Sequence, residues 1–191
     1  MGRQSDDPLF RQQLVWQLAT ALGHTGAVER YRGRHERAKQ YLANAITLRD
    51  ALKSGRPMTV LNRYRRGLEC FYLGSLYVKD NMREAQLWYN QARVQFPRDI
   101  PKSMTFELRY HGDRLVAMAV AYWNAGDREL AIKLTRSGIE KIELAVKRKL
   151  AKASALVIPY RNLSGMVRTQ GDNVEADSLS ERAATIMKLL K

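Results

Sequence analysis

The sequence predicts an all-α fold built from four helical hairpins in series, and three observations predict it. Small residues recur at a near-constant interval, because Ala38, Ala85, Ala131 and Ala176 lie 47, 46 and 45 positions apart. Around each alanine, small and apolar residues recur at spacings of three and four, which places them on one helical face. No stretch shows the two-residue alternation of a strand. Helical repeats of this kind bury their apolar faces only by stacking on one another.

The helix boundaries follow from the apolar periodicity and from the turn residues. Gly126 and Gly171 are each followed by Asp, and they mark the turns within the third and fourth hairpins. The helices are predicted at residues 9–30, 34–54, 60–79, 82–96, 102–125, 128–149, 153–170 and 173–190. Breaks between hairpins are expected at residues 54–57 and 97–101. The chain is predicted to form a single domain, 1–191, whose four repeats cover approximately residues 9–54, 60–97, 102–149 and 153–190.

The second repeat contains the most specific motif. Its sequence reads Cys70-x-x-Leu73-Gly74-x-x-Tyr77, then Ala85-x-x-x-Tyr89-x-x-Ala92, then Pro97. This pattern resembles the signature of the tetratricopeptide repeat family, and the resemblance extends over about residues 15–190. It implies a right-handed superhelical array of four TPR-like antiparallel hairpins, an α-solenoid. The interval of 45 to 47 exceeds the family's repeat of about 34 residues. The additional residues are expected in lengthened helices and in longer connections between hairpins.

The composition narrows the class of protein. The 191 residues include 33 Lys and Arg against 19 Asp and Glu, which gives a net charge of +14. A single cysteine excludes a disulfide framework and a zinc site built from several thiolates. The longest apolar run, residues 115–123, is far shorter than a membrane-spanning helix, and no secretory signal is visible at the N-terminus. A cytoplasmic protein without a membrane span is predicted.

No constellation of residues indicates catalysis. The three histidines, His24, His35 and His111, lie at no metal-ligand spacing from one another. Cys70 falls within the apolar stripe, where a small buried hydrophobic residue is expected. The sequence contains neither a phosphate-binding glycine loop nor the nucleophile motif of a hydrolase. A protein that is not an enzyme and needs no metal or cofactor is therefore expected.

The resemblance implies that the first helices of successive hairpins line a concave groove, which binds an extended peptide or a helix of a partner protein. Mixed apolar and basic side chains in this groove favour a partner segment with acidic and apolar residues. For Phe71 and Trp123, packing against neighbouring helices is an equally good interpretation. The chaperone-tail clamp of some family members is not reproduced. The predicted groove residues are Phe71, Ser75, Val78, Lys79, Val116, Val120, Trp123, Asn124, Arg161, Gly165, Arg168 and Thr169.

The positive charge supports an alternative, an RNA-binding helical-repeat protein. Eleven Lys and Arg but only two acidic residues lie between Arg30 and Arg66. Arginines beside tyrosines can contact phosphates and stack on unpaired bases. A solvated basic face that only keeps the protein soluble is the competing interpretation. The candidate polyanion patch consists of Arg30, Arg32, Arg34, Arg37, Arg63, Arg65 and Arg66.

The last repeat suggests a further contact. Residues 186–191 read Ile-Met-Lys-Leu-Leu-Lys, which is more apolar than the polar cap that usually ends a repeat array. Self-association through the C-terminal repeat, or continuation into a longer protein, is expected from this edge.

Overall fold

The computed structural model describes residues 7–52 and 58–189, and throughout these residues the protein is all-α. Eight α-helices pack as four consecutive antiparallel hairpins. Two short 3-10 helices, Lys102–Glu107 and Ala153–Leu156, precede the fifth and seventh α-helices. The predicted break at residues 54–57 lies outside the described residues. The helices are Pro8–Tyr31 (α1), His35–Ala51 (α2), Val60–Tyr77 (α3), Met82–Gln95 (α4), Leu108–Asn124 (α5), Arg128–Lys147 (α6), Val157–Thr169 (α7) and Asn173–Lys188 (α8).

The chain divides into two compact units, Met1–Arg98 and Asp99–Lys191. In the first, which we call the N-terminal unit, α3 packs against both α1 and α2 and pairs with α4. In the second, the C-terminal unit, α7 likewise contacts both α5 and α6 and pairs with α8. Each unit is therefore a stack of two hairpins, with the first helix of one hairpin resting on both helices of the other.

Local sequence determines where the helices begin and turn. Gly126 and Gly171, at the predicted turns, have φ of +89° and +92°, which is the left-handed region that glycine adopts without strain. Five helices begin with a side-chain oxygen that accepts a hydrogen bond from a backbone N–H of the first turn, which satisfies one of the donors left free there. These capping residues are Asp7, Thr59, Asn81, Asp127 and Asp172.

The recurring alanines lie at the contact between the two helices of each hairpin. Ala38, Ala85, Ala131 and Ala176 are all completely buried, as the repeat predicted. A Cβ added to Gly74 of α3 would lie 2.7 Å from the ring of Tyr89 on α4, and would also approach the backbone of Ala85. Small side chains therefore allow close packing of paired helices, because any larger group would overlap its neighbour.

The first hairpin follows the same rule with a different residue at the large position. Gly26 of α1 packs on Leu42 of α2, where an added Cβ would lie 2.7 Å from the leucine side chain. Three residues later, Glu29 occupies the position that Tyr77 holds in the second hairpin. Glu29 is buried. Its carboxylate oxygens form ion pairs with Arg32 Nη1 at 3.3 Å and with Arg34 Nη1 at 3.4 Å. The first helix of the first hairpin thus packs on its partner helix as the first helix of the second hairpin does.

The pairing of α5 with α6 includes a second close contact, about two helical turns before Ala119 on α5. In the C-terminal unit, a Cβ added to Gly112 would lie 2.6 Å from the carbonyl oxygen of Gly138 and from the Ile142 side chain. A Cβ added to Gly138 would lie 2.7 Å from Val116. Because α6 has 20 residues, it continues past this contact. The helices differ in length, since α4 has 14 residues and α7 has 13. The α-helices predicted to begin at residues 102 and 153 begin later, at Leu108 and Val157, because 3-10 helices occupy the preceding residues.

Among the described residues, no helix is both long enough and apolar enough to cross a membrane.

Candidate functional site

A groove of about 870 Å³ lies in the C-terminal unit between α5 and α7. The segment that connects α6 to α7 closes one side of it. Most of its floor and walls are apolar, and charged side chains surround the opening. The apolar lining residues are Val116, Ala117, Val120, Val146, Leu150, Ala151, Ala155, Ile158 and Pro159. The polar and charged lining residues are Arg109, Asp113, Lys149, Lys152, Ser154 and Asn162.

Helical periodicity places the α5 residues in the groove. Arg109, Asp113, Val116 and Val120 are separated by three or four positions, so they lie along one face of the helix. Ile158 at the start of α7 leaves 66% of its surface exposed, although it is a large aliphatic residue. Leu150 in the connecting segment is 46% exposed. Clustered apolar side chains that remain in contact with water beside a cavity are typical of a binding surface.

The connecting segment contains an unusual backbone conformation at Lys149. Its φ is +59°, in the left-handed region that a residue with a Cβ adopts only at some cost. The Lys149 N–H donates to the Val146 carbonyl (2.9 Å), and the Leu150 N–H donates to the Ala145 carbonyl (2.8 Å). These two bonds form a Schellman motif, in which glycine normally occupies the position of Lys149. A lysine therefore stands at the edge of the groove where the backbone favours glycine.

The charges around the opening are predominantly positive. Three cationic residues line the groove, and one carboxylate, that of Asp113, lines it with them. The cationic residues are Arg109, Lys149 and Lys152. The Arg109 guanidinium lies 3.5 Å from this carboxylate. Burial raises the pKa of Asp113, and the guanidinium groups of Arg109 and Arg114 oppose the rise. The opening can therefore attract an acidic group, because its three cations exceed its one anion.

The structure assigns the predicted groove residues of the C-terminal unit to different surroundings. Val116 and Val120 line the groove, with Val116 almost completely buried and Val120 38% exposed. Trp123 is half-buried, and the Arg128 guanidinium lies 5.3 Å from the centre of its ring. The remaining predicted residues line other surfaces. These are Asn124, Arg161, Gly165, Arg168 and Thr169, all exposed, of which Arg168 pairs with Asp177.

In the N-terminal unit, Phe71 is buried and not available to a partner. Its ring lies 5.7 Å from that of Tyr89 and 5.6 Å from that of Tyr72. Phe71 therefore belongs to the packing between α3 and α4, which is the alternative that the sequence left open. The Ser75 hydroxyl accepts a hydrogen bond from Arg30 Nε at 2.6 Å. Val78 is half-buried, and Lys79 is exposed.

Several members of the predicted polyanion patch make contacts within the protein. Arg66 is buried and donates two hydrogen bonds to the Asp50 carboxylate, at 2.7 and 2.8 Å. Arg30 donates to Ser75, while Arg32 and Arg34 pair with Glu29, as described above. The exposed members of the patch are Arg32, Arg34, Arg37 and Arg63.

Sequence reasoning missed the cationic and apolar side chains that surround the groove. Lys149, Leu150, Lys152 and Ile158 belong to the additional residues between hairpins, which a family pattern of about 34 residues does not contain. A signal was present in the sequence, since Lys147, Arg148, Lys149 and Lys152 form a basic cluster that also contains the apolar Leu150.

No group of three His, Cys, Asp or Glu side chains that could hold a metal ion occurs within residues 7–52 and 58–189. His111 is buried in α5, and burial lowers its pKa to about 4, helped by the nearby positive charges of Arg114 and Lys141. It is therefore neutral near pH 7.

Comparison with models of known protein families finds no match, and a search of curated proteins finds no similar sequence. The structure accordingly shows an all-helical protein of consecutive antiparallel pairs, without identifying its family.

Proposed function

We propose that this protein is a non-catalytic binding module, a scaffold or adaptor, whose C-terminal unit receives a short segment of a partner protein in the groove between α5 and α7. One observation supports this proposal above others: the groove combines an exposed apolar lining with three cations at its opening. The partner segment presents apolar side chains to Val120, Leu150 and Ile158.

Acidic side chains of the partner would face the three cations at the opening of the groove. Arg109, Lys149 and Lys152 attract carboxylates over several ångströms, which raises the rate of encounter and selects against basic segments. Burial of the apolar side chains supplies most of the affinity, at about 25 cal/mol per Å² of apolar surface removed from water. Apolar contact and charge thus contribute in different ways, so they can be tested separately.

The test uses the full chain, labelled with ¹⁵N, and three short synthetic peptides of equal length. One alternates acidic residues with Leu, the second replaces the acids by Lys, and the third replaces Leu by Ser. Only the first should shift the backbone amide signals of Val120, Leu150 and Ile158 and reach saturation. If no peptide moves these signals, or if the basic peptide moves them equally, the proposal is wrong.

A pair of variants locates the contact. Ile158→Glu places a charge in the apolar lining and should weaken binding of the acidic peptide by about tenfold or more. Val174→Glu is the matched control, because Val174 is 84% exposed on α8 and does not line the groove. Equal loss of binding in both variants would contradict binding in the groove.

RNA binding through residues 30–66 is the second candidate function, and the net charge of +14 is the observation that favours it. The internal contacts of Arg30 and Arg66 weaken the case. Binding of single-stranded RNA measured over a series of salt concentrations tests it, because phosphate contacts give a steep dependence on salt. Tight binding with a steep slope would favour this function over the peptide adaptor.

We further propose that the four hairpins are TPR-like repeats of a right-handed superhelical α-solenoid. The close packing of Gly26 on Leu42, of Gly74 on Tyr89 and Ala85, and of Ser164 on Ala176 supports this. Small-angle scattering tests it: a rigid array gives a radius of gyration well above the roughly 16 Å of a compact chain of this length. A compact value, or the profile of two independently moving bodies, would contradict it.

Self-association through the last repeat also remains a proposal. Leu189 at the end of α8 is 81% exposed, and Met187 is 37% exposed. Sedimentation at increasing concentration should show a dimer if this edge pairs, and a monomer throughout would contradict the proposal.

A further inference from the structure

A second groove, of about 460 Å³, lies in the N-terminal unit between α1 and α3. Its position corresponds to that of the groove between α5 and α7, but its lining is polar and aromatic. Trp16, Thr20 and His24 line it from α1, and Arg65 lines it from α3, with the amides of Gln13 and Gln17 nearby.

Two guanidinium groups converge on one hydroxyl at the wall of this groove. The Thr20 Oγ1 accepts from Arg49 Nη2 at 3.2 Å and from Arg65 Nη1 at 3.3 Å. The same hydroxyl donates to the carbonyl oxygen of Trp16 at 2.8 Å. Both lone pairs and the proton of Thr20 are therefore in use, and the hydroxyl holds two cations side by side.

One carboxylate accompanies these two cations. Glu69 accepts from Arg49 Nε through both oxygens, at 2.9 and 2.8 Å. Arg49 is fully buried, and its Nη1 has no hydrogen-bond partner. Arg65 lies nearer to solvent, beside the groove, and the pKa of its guanidinium is lowered by burial and then by the charge of Arg49. The cluster thus contains more positive than negative charge in a partly desolvated place, an arrangement that an anion would stabilise.

We propose that the groove between α1 and α3 is a binding site for a small ligand that carries a phosphate or carboxylate group. The oxyanion contacts Arg65 and the imidazole of His24, and the amides of Gln13 and Gln17 are placed to donate further hydrogen bonds. Planar guanidinium groups suit both kinds of oxyanion, because two N–H groups match two oxygens. The volume is sufficient for a small organic acid or a phosphate ester. This site is independent of the peptide groove, because each lies within a different unit.

The test follows the indole Nε1–H signals of the three tryptophans in the full chain during titration with sodium phosphate or sodium acetate. Sodium chloride keeps the ionic strength constant. The Trp16 signal should move and saturate, while those of Trp88 and Trp123 stay in place. Movement with phosphate alone identifies a phosphate site, and movement with acetate alone identifies a carboxylate site. Movement with both shows that the site accepts either group.

Variants at two arginines separate a site from general attraction. Arg65→Gln should raise the Kd by about tenfold or more, since it removes the cation that faces the groove. Arg63→Gln is the matched control: it removes an exposed arginine two positions away on the same helix and should leave the Kd unchanged. His24→Ala, at an exposed position, should also raise the Kd for phosphate, because it removes a side chain that can donate a hydrogen bond to the oxyanion.

Three results would overturn the proposal. The Trp16 signal does not respond to either anion, or chloride moves it equally, or Arg65→Gln and Arg63→Gln weaken binding to the same extent.

Discussion

The two units place grooves of opposite chemistry at equivalent positions. When the first and third repeats are aligned on Gly26 and Ala119, Thr20 of the polar groove corresponds to Asp113 of the apolar one. The same alignment pairs Arg49, which is completely buried, with Ile142, which is also completely buried. Aligning Gly74 with Ser164 pairs Glu69 with Pro159. The positions of an internal ion pair in one unit thus hold buried aliphatic residues in the other.

The side chain at one position of the first helix in each unit changes along with this difference. Gly23 of α1 corresponds to Val116 of α5, and a Cβ added to Gly23 would lie 2.5 Å from the Glu69 carboxylate. The N-terminal unit therefore keeps a glycine where the C-terminal unit has a valine. Burial raises the pKa of Glu69 and the hydrogen bond from Arg49 opposes the rise, so its ionised form depends on the partner. The comparison indicates that one arrangement of helices accepts either interior, provided that the neighbouring position changes with it.

The largest expected effect comes from breaking the buried pair. Arg49→Ile leaves the Glu69 carboxylate buried without its partner and should lower the free energy of unfolding by about 3–5 kcal/mol. The double variant Arg49→Ile with Glu69→Leu imitates the C-terminal unit and should recover most of that loss. Urea unfolding of both variants measures the two values. A single variant as stable as the parent would show that the pair has no role in holding α2 and α3 together.

The C-terminal unit should respond to acid through His111. Its pKa is lowered from 6.5 to about 4, so the unfolded state binds a proton at a higher pH than the folded state. Stability is therefore complete above about pH 6.5 and falls as the pH approaches 4, by about 3 kcal/mol over that range.

This acid response can be isolated by comparison with a variant. His111→Met should flatten the pH dependence between 6.5 and 4 in urea unfolding, measured against the parent so that the effect of the carboxylates cancels. His24→Met is the control, because His24 is exposed on α1. Parallel curves for the parent and His111→Met would exclude this origin.

A substitution at Gly23 sharpens the comparison of the two interiors. Gly23→Ala should destabilise the parent by about 1–3 kcal/mol, because its Cβ displaces the Glu69 carboxylate from Arg49. In the double variant that lacks the ion pair, the same change should cost markedly less. A double-mutant cycle in urea measures this coupling. Equal costs in the two backgrounds would mean that Gly23 is needed for another reason.

The smallest effect concerns the edge of the apolar groove. Lys149→Gly should raise the free energy of unfolding by about 1 kcal/mol, because glycine adopts a positive φ without strain. The same change should weaken binding of the acidic peptide. Lys152→Gly is the control, since Lys152 has an extended backbone (φ −80°, ψ 149°) and its replacement should give no gain in stability. Thermal unfolding and peptide titration of both variants test this, and a less stable Lys149→Gly would contradict it.

The fold could be predicted from the sequence wherever packing demands a small side chain. Ala38, Ala85, Ala131 and Ala176 are visible as a pattern, and all four are completely buried, where small side chains let helices pack closely. The first helix of the first repeat was harder to recognise, because it has Glu29 where the second repeat has the aromatic Tyr77. Ion pairs with Arg32 and Arg34 stabilise the buried Glu29 carboxylate. Such pairing depends on where distant arginines come to lie, and periodicity does not contain that information.

The grooves could be predicted only in part. Val116 and Val120 followed from helical position, whereas Lys149 and Ile158 depend on the path of the connecting segment after α6. The ion pair of Arg49 and Glu69 was not anticipated, because charged residues at these positions indicate exposure in a pattern of hydropathy. Its partners are 20 residues apart on different helices.

The contact between Gly112 and Gly138 has a consequence for the binding that we propose in the apolar groove. Val116 lies against Gly138, and the backbones of α5 and α6 are in contact at Gly112 and Gly138. The base of the groove therefore cannot move deeper into the protein. A rigid base pays little entropy when it is occupied, which favours binding. For the binding that we propose, a fixed base would limit how deeply a side chain of the partner can enter: those that reach Val116 without overlap would fit, and longer or branched ones would not. Two glycines that no ligand touches would then determine the selectivity for side-chain size.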